Sequence, residues 1–169
     1  MSELNEYEMR NISQAVQKYL MGKRRNWRLH DLKVLKQIHK DMFNETWKWA
    51  GKFRQTDTQI GSDWTQVQVH AKEACNDLEY WIANKVFPLP EIAVRFHHRL
   101  IWIHPFPNGN GRHGRIVADI FMRMFGERPF SWGGAHLTES GPARSDYLSA
   151  MRRADKGQFE ELIAFAKLG

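Results

Sequence analysis

Apolar residues recur three and four positions apart along most of the chain, with polar residues between them. That spacing predicts helices over residues 8–20, 28–43, 71–86, 89–103, 109–125, 142–154 and 158–167, punctuated by glycine, proline or asparagine. One stretch breaks the rhythm. In residues 58–69, Ile60, Trp64, Val67 and Val69 sit among Thr and Gln around Gly61-Ser62-Asp63, which predicts a short β-hairpin. The expected fold class is mainly α: a helical bundle carrying one hairpin.

The densest chemistry lies between two of these helices, in His104-Pro105-Phe106-Pro107-Asn108-Gly109-Asn110-Gly111-Arg112-His113-Gly114-Arg115. Pro105 and Pro107 stiffen the entry and donate no backbone N–H, while Gly109 and Gly111 let the chain approach a ligand or take positive φ. A helix beginning near Gly109 aims unpaired N–H groups and a positive dipole end at the loop, which suits an anion. Arg112 and Arg115, three residues apart, share a face and reach one polyphosphate. His104 stands before the loop with an ordinary pKa near working pH, as a proton acceptor should. Taken singly, a histidine after an apolar run is more often a core contact, and Gly-Asn-Gly more often a turn. Taken together, base, anion cradle and arginine pair describe phosphoryl or nucleotidyl transfer. Asn108-Gly109 also suits a hairpin turn, but the helical periodicity that follows argues against a strand.

Composition sets the bounds. With 169 residues, 42% of them hydrophobic, the chain supports one well-packed domain. Cys75 is single and forms no internal disulfide, and no segment approaches the roughly 20 apolar residues of a membrane span. With no secretory leader visible either, a cytoplasmic location is expected. The net charge of +6 gathers most densely at Lys23-Arg24-Arg25 and Arg28, with Trp27 interleaved. No helix-turn-helix or zinc-finger spacing accompanies it, so a basic nucleic-acid-associated protein is the weaker alternative and steering of an anionic ligand or an acidic target the stronger one. His97, His98, His104 and His113 lie close in sequence, but adjacent His97 and His98 face different sides of a helix. Polar contacts near the loop are expected of them rather than a metal site. His30, His39 and His70 carry no motif.

The loop resembles the signature of the Fic family, H-x-F-x-(D/E)-G-N-G-R-x-x-R, at every position except the acidic one, which is Asn108. Upstream, Trp47-Lys48-Trp49-Ala50-Gly51-Lys52-Phe53-Arg54 is similar to the family's W-A-G-x-x-R segment. Downstream, Trp132-Gly133-Gly134 and residues 144–155 resemble its C-terminal helices. Phe96-His97-His98-Arg99-Leu100 is similar to the subgroup called mobile mystery protein B.

The resemblance implies one Fic domain over residues 1–169, a Fic-type helical bundle with a flap at 58–69 beside the motif at 104–115. It implies transfer of AMP from ATP to a Ser, Thr or Tyr hydroxyl of a target protein, with release of pyrophosphate. In that reading His104 is the general base and Phe106 the structural anchor of the loop. Gly109, Asn110 and Gly111 form the anion hole, Arg112 contacts the β-phosphate and Arg115 supports the phosphate site. Ile60, Gly61, Ser62, Asp63 and Trp64 dock the target segment by strand addition.

Asn108 stands where the family binds Mg²⁺ through a carboxylate; its amide oxygen is a weaker, uncharged ligand. The expectation is weak Mg²⁺-dependent transfer or a nucleotide-binding module of altered activity. Asn108 also precedes a glycine, the context in which asparagine deamidates most readily, although a rigid loop opposes that reaction. The family's inhibitory pattern, (S/T)-x-x-x-E-(G/N), fits Ser2 to Glu6, with Tyr7 departing from it. Residues 1–22 are thus expected to form a helix with a regulatory role, the alternative being control by a separate small antitoxin.

Overall fold

The computed structural model describes residues 3–134, 137 and 140–169, and these form seven helices without a strand. In chain order they are α1 (Glu3–Val16), α2 (Leu32–Phe43), α3 (Val67–Asn84), α4 (Leu89–Ile103), α5 (Asn110–Met124), α6 (Pro142–Ala154) and α7 (Glu160–Lys167). α4 and α5 form the central pair. α3 packs on α4, α1 on α2, α2 on α5, and the α6–α7 pair closes the bundle through α7 on α4.

The caps explain the boundaries. α2 begins at Leu32 rather than at residue 28 because the Asp31 side chain accepts the Lys33 N–H at 2.9 Å, a helix N-cap. Pro88 and Pro90 open α4, where the missing donors cost nothing. At its other end His104 takes the left-handed conformation, φ 53°, and its N–H closes on Leu100 O at 3.0 Å before Pro105. α1 extends into a π turn, Gln17–Met21, whose Tyr19 is buried and donates to Asp41 Oδ2 at 2.7 Å on α2.

α4 and α5 are buried on more than one side. Ile92, Phe96, Leu100 and Ile103 meet Val117, Ile120 and Phe121 in a continuous core. Each of these side chains contributes roughly 1.5–3 kcal/mol by leaving water. The loop joining the two helices is therefore anchored at both ends by the best-packed part of the molecule.

The hairpin expected at 58–69 does not form. Residues 59–62 run as bends, Trp64–Gln66 is a single 3-10 turn and Val67 already belongs to α3. Short polar side chains capture the backbone groups that a β ladder needs. Trp64 N–H goes to Asp57 Oδ1 at 3.0 Å and Thr65 N–H to Asp63 Oδ1 at 2.8 Å, while the Thr58 hydroxyl donates to Ile60 O at 2.5 Å. Asp63 is in effect the cap that leads into α3.

Candidate active site

The loop between α4 and α5 is held open by its own residues. Phe106 is fully buried and lies flat on His39, with ring centroids 3.7 Å apart at 13°. The Asn110 side chain, also buried, accepts Phe106 N–H at 2.9 Å and donates to Phe106 O at 2.8 Å. It thereby braces the loop, leaving its backbone N–H with those of Gly111 and Arg112 at the α5 N-terminus. None of these three has an acceptor within the helix. Gly109 sits at φ 77° with the Phe43 ring beneath it, so close that a Cβ would lie 2.5 Å from Phe43 Cζ. Only glycine meets both demands.

Two residues that the sequence reading left without a role complete the support. The Arg54 guanidinium is buried and donates to four carbonyls: His104 O at 2.6 Å, Thr56 O at 2.9 Å, Ile103 O at 3.2 Å, and Ser62 O. Its own N–H goes to Pro105 O at 2.9 Å. The segment that fails to make a hairpin is thus tied to the end of α4 by one side chain, with Ser62 N–H to Ile103 O at 3.3 Å as a second tie. The second residue is His39. Its Nδ1 accepts Gly51 N–H at 2.9 Å, so Nε2 carries the proton and donates to Asn108 O at 3.0 Å. Arg54 and Gly51 belong to the tryptophan-rich segment singled out above, but nothing near His39 in sequence signals its part.

A cavity of about 300 Å³ opens over this loop, lined by His104, Arg112, Arg115, Ile60, Tyr147 and Leu148. A larger cavity of about 660 Å³, around Gly126 and Arg128 beyond the far end of α5, gathers none of the residues selected from the sequence. His104 Nδ1 is buried without a hydrogen-bond partner among the described residues, leaving Nε2 as the nitrogen open to the cavity. Burial, and then the nearby Arg54 charge, lower the His104 pKa and keep the ring neutral, as a proton acceptor must be.

The two arginines are held differently. Arg112 crosses the Phe43 ring, its Cζ 5.0 Å from the centroid, and is ion-paired with Glu8 of α1. Glu8 also accepts the Trp47 indole N–H at 2.8 Å. Arg115 lies deeper, beside Tyr147, whose hydroxyl is 2.9 Å from His97 Nε2. One turn along α5, Asp119 accepts Phe130 N–H at 3.1 Å and Trp132 Nε1–H at 3.0 Å. Burial pushes the Asp119 carboxyl up to about 7.

Asn108 is exposed at the mouth, with Oδ1 accepting Gly109 N–H at 2.7 Å. Ile60 is exposed and lines the cavity, Trp64 is exposed but outside its lining, Gly61 packs against the His104 Cβ, and Asp63 is engaged in its cap. Three further histidines have structural contacts: His98 with Asp155 at 2.7 Å, His113 with Leu35 O at 2.9 Å, and His70 against Trp102. Glu6 is exposed and Ser2 lies outside the described residues, so the acidic residue that α1 brings to the loop is Glu8.

A neutral histidine, an open helix N-terminus and two arginines around one cavity agree with what comparison finds. The Fic/DOC family model matches residues 29–122, more than half of the chain, including α2, α4 and most of α5. Protein adenylyltransferase Fic of Nematostella vectensis is 25% identical over 120 residues, covering 69% of this chain and 26% of that protein. The chain thus spans about a quarter of the length of such curated relatives. The N-terminal Fic domain of the Bep8 effector from Bartonella sp. 1-1C superposes with a TM-score of 0.74 at 15% identity, covering 99% of this chain and 85% of that one. The BepC effector of Bartonella tribocorum, solved with AMPPNP bound, gives 0.72 at 17% identity, with 98% and 85% covered. Signature, helical fold and family match coincide on the same loop, and the chain belongs to the Fic/DOC family.

Proposed function

We propose that this chain transfers AMP from ATP to a Ser, Thr or Tyr hydroxyl of a target protein. The observation that carries the reading is the convergence of a neutral His104, the N–H groups that open α5, and Arg112 and Arg115 on one cavity. His104 Nε2 takes the proton of the target hydroxyl as its oxygen attacks the α-phosphorus, and pyrophosphate leaves on the opposite side. The turn at Gly109, the open N–H groups of Asn110 and Gly111 and the Arg112 guanidinium neutralise the departing phosphates, with Arg115 behind them. Phe106 keeps the loop in register from beneath. The exposed apolar Ile60 at the cavity and Trp64 beyond it, with Gly61, Ser62 and Asp63 between them, are the proposed docking segment for the target, now as an irregular strap rather than a hairpin.

Mg²⁺ would be held by the triphosphate and the Asn108 amide oxygen, supplying charge neutralisation when bound. The fit is partial: Oδ1 already accepts Gly109 N–H, is uncharged, and has one lone pair to offer. We therefore expect transfer to be weak, and a nucleotide-binding module of altered activity is the second reading that Asn108 favours. A basic nucleic-acid-binding role rests only on the cluster around Arg24 and Arg25 and ranks third. The N-terminal helix is proposed as regulatory through Glu8, which occupies Arg112; an external antitoxin is the alternative. Residues 1–169 as one Fic domain, a cytoplasmic location and membership of the mobile mystery protein B subgroup complete the proposal. Among the described residues no helix is long and apolar enough to cross a membrane.

The deciding experiment is incubation of the chain with α-labelled ATP and a cell lysate. Labelled protein bands that vanish in His104→Ala support the transferase. ATP binding without transfer supports the module, and salt-sensitive DNA retardation indifferent to His104→Ala supports the third reading.

A further inference from the structure

Two Asn-Gly pairs lie in the loop, Asn108-Gly109 and Asn110-Gly111, and the fold treats them oppositely. The Asn110 amide is buried with both ends engaged by the Phe106 backbone. The Asn108 side chain is open to water, and its Oδ1 accepts Gly109 N–H at 2.7 Å. The backbone nitrogen of residue 109 is thereby set against the side-chain amide of residue 108. Gly109 has no Cβ to shield that approach. Across the same peptide bond, Asn108 O accepts the Nε2 proton of His39 at 3.0 Å, a proton fixed there because Nδ1 accepts from Gly51.

We propose that Asn108 is a site of spontaneous deamidation, placing a carboxylate at the mouth of the anion loop. The hydrogen bond from Gly109 N–H to Oδ1 opens, Gly109 N gives its proton to a solvent base and bonds to Asn108 Cγ, and the side-chain nitrogen takes a solvent proton and leaves as ammonia, closing a succinimide. Water then opens the ring at either carbonyl to give aspartate or isoaspartate. One water is consumed and one ammonia released, with no oxidation. As the N–H ionises, negative charge spreads onto Asn108 O, where the His39 donor meets it. Rigidity usually opposes ring closure, but here the loop keeps Gly109 N within hydrogen-bond reach of Asn108 Oδ1, one bond from the Cγ that it attacks. That an aspartate product would restore the family's acidic ligand rests on the proposed transferase reading; the deamidation itself does not.

The test compares the two sites within one molecule. The folded full-length chain is held at mildly alkaline pH, beside the same chain unfolded in urea, and peptides spanning both asparagines are followed by mass spectrometry. In the folded chain Asn108 should convert at least roughly tenfold faster than Asn110, a factor that the two buried hydrogen bonds of Asn110 readily impose. In urea the two should convert at comparable rates. Asn108 persisting in the folded chain while it converts in urea overturns the proposal, as does equal conversion of the two sites in the folded chain. Because the readout is mass at residue 108, it stands or falls independently of whether AMP is transferred.

Discussion

The Glu8 carboxylate on α1 is shared between the Arg112 guanidinium on Oε1 and the Trp47 indole N–H on Oε2. Both partners of the ion pair are partly buried, with side-chain exposures of 27% for Arg112 and 15% for Glu8, so the pair is screened less than a surface one. In the proposed transferase reading, a nucleotide phosphate competes with Glu8 for Arg112. Glu8→Gln removes the competing charge while keeping an oxygen for Trp47. It should raise ATP affinity and labelling on the order of tenfold, within the usual range of coupling between two sites. Glu6→Gln, at an exposed position, should change neither. Unchanged affinity in Glu8→Gln, measured by calorimetric titration with ATP, would remove α1 from the regulatory account.

Asn108→Asp should strengthen Mg²⁺-dependent ATP binding. The carboxylate keeps an oxygen for Gly109 N–H and adds a full charge at the mouth of the cavity. A gain on the order of tenfold in apparent ATP affinity is expected in Mg²⁺ and little without it, since the charge acts through the cation. Equal affinities with and without Mg²⁺ in both proteins would mean that position 108 does not bear on metal.

What was legible beforehand follows the range of the interactions. The loop and the two helices around it depend on local signals: prolines at entry, glycines at the turn and a 3.6-residue apolar period, all of which the structure repeats within a few residues. The hairpin failed because the scatter of Ile60, Trp64, Val67 and Val69 among Thr and Gln says nothing of Asp57 and Asp63, whose side chains take the backbone donors first. Arg54, His39 and Glu8 were not legible because their partners lie 50, 69 and 104 residues away. No periodicity encodes contacts at that separation.

Arg54 should prove both structural and functional. Removing its guanidinium leaves the carbonyls of Ile103, Thr56 and Ser62 without this buried donor and frees the backbone of His104. Arg54→Ala is expected to lose at least about 2 kcal/mol of stability in urea unfolding, since charged hydrogen bonds to buried acceptors are among the costliest to delete. Arg54→Lys keeps the charge but not the planar fork, and should recover only part of that stability. Full stability with full labelling in Arg54→Lys would show that charge alone suffices.

Acidification should destabilise the fold through its buried histidines. Burial lowers His39 from the ordinary 6.5 to about 4, and His97 and His113 to about 3. Above 6.5 these rings are neutral folded or unfolded; as pH falls below it, the unfolded chain takes up protons that the folded chain refuses, and stability is lost. Asp119 works in the other direction. Its folded pKa of about 7 lies above the ordinary 3.8, so its contribution is complete below 3.8 and is lost as pH rises towards 7. Near pH ~5 the three histidines and the one carboxyl leave the unfolded chain holding about two more protons, a slope of roughly 2–3 kcal/mol per pH unit. Urea midpoints should fall steeply from near-neutral to mildly acidic buffer. Asp119→Asn removes the opposing term while leaving an oxygen for Trp132 and Phe130, so its slope should steepen towards three protons. A midpoint indifferent to pH in this window would mean that the histidines titrate normally in the folded protein.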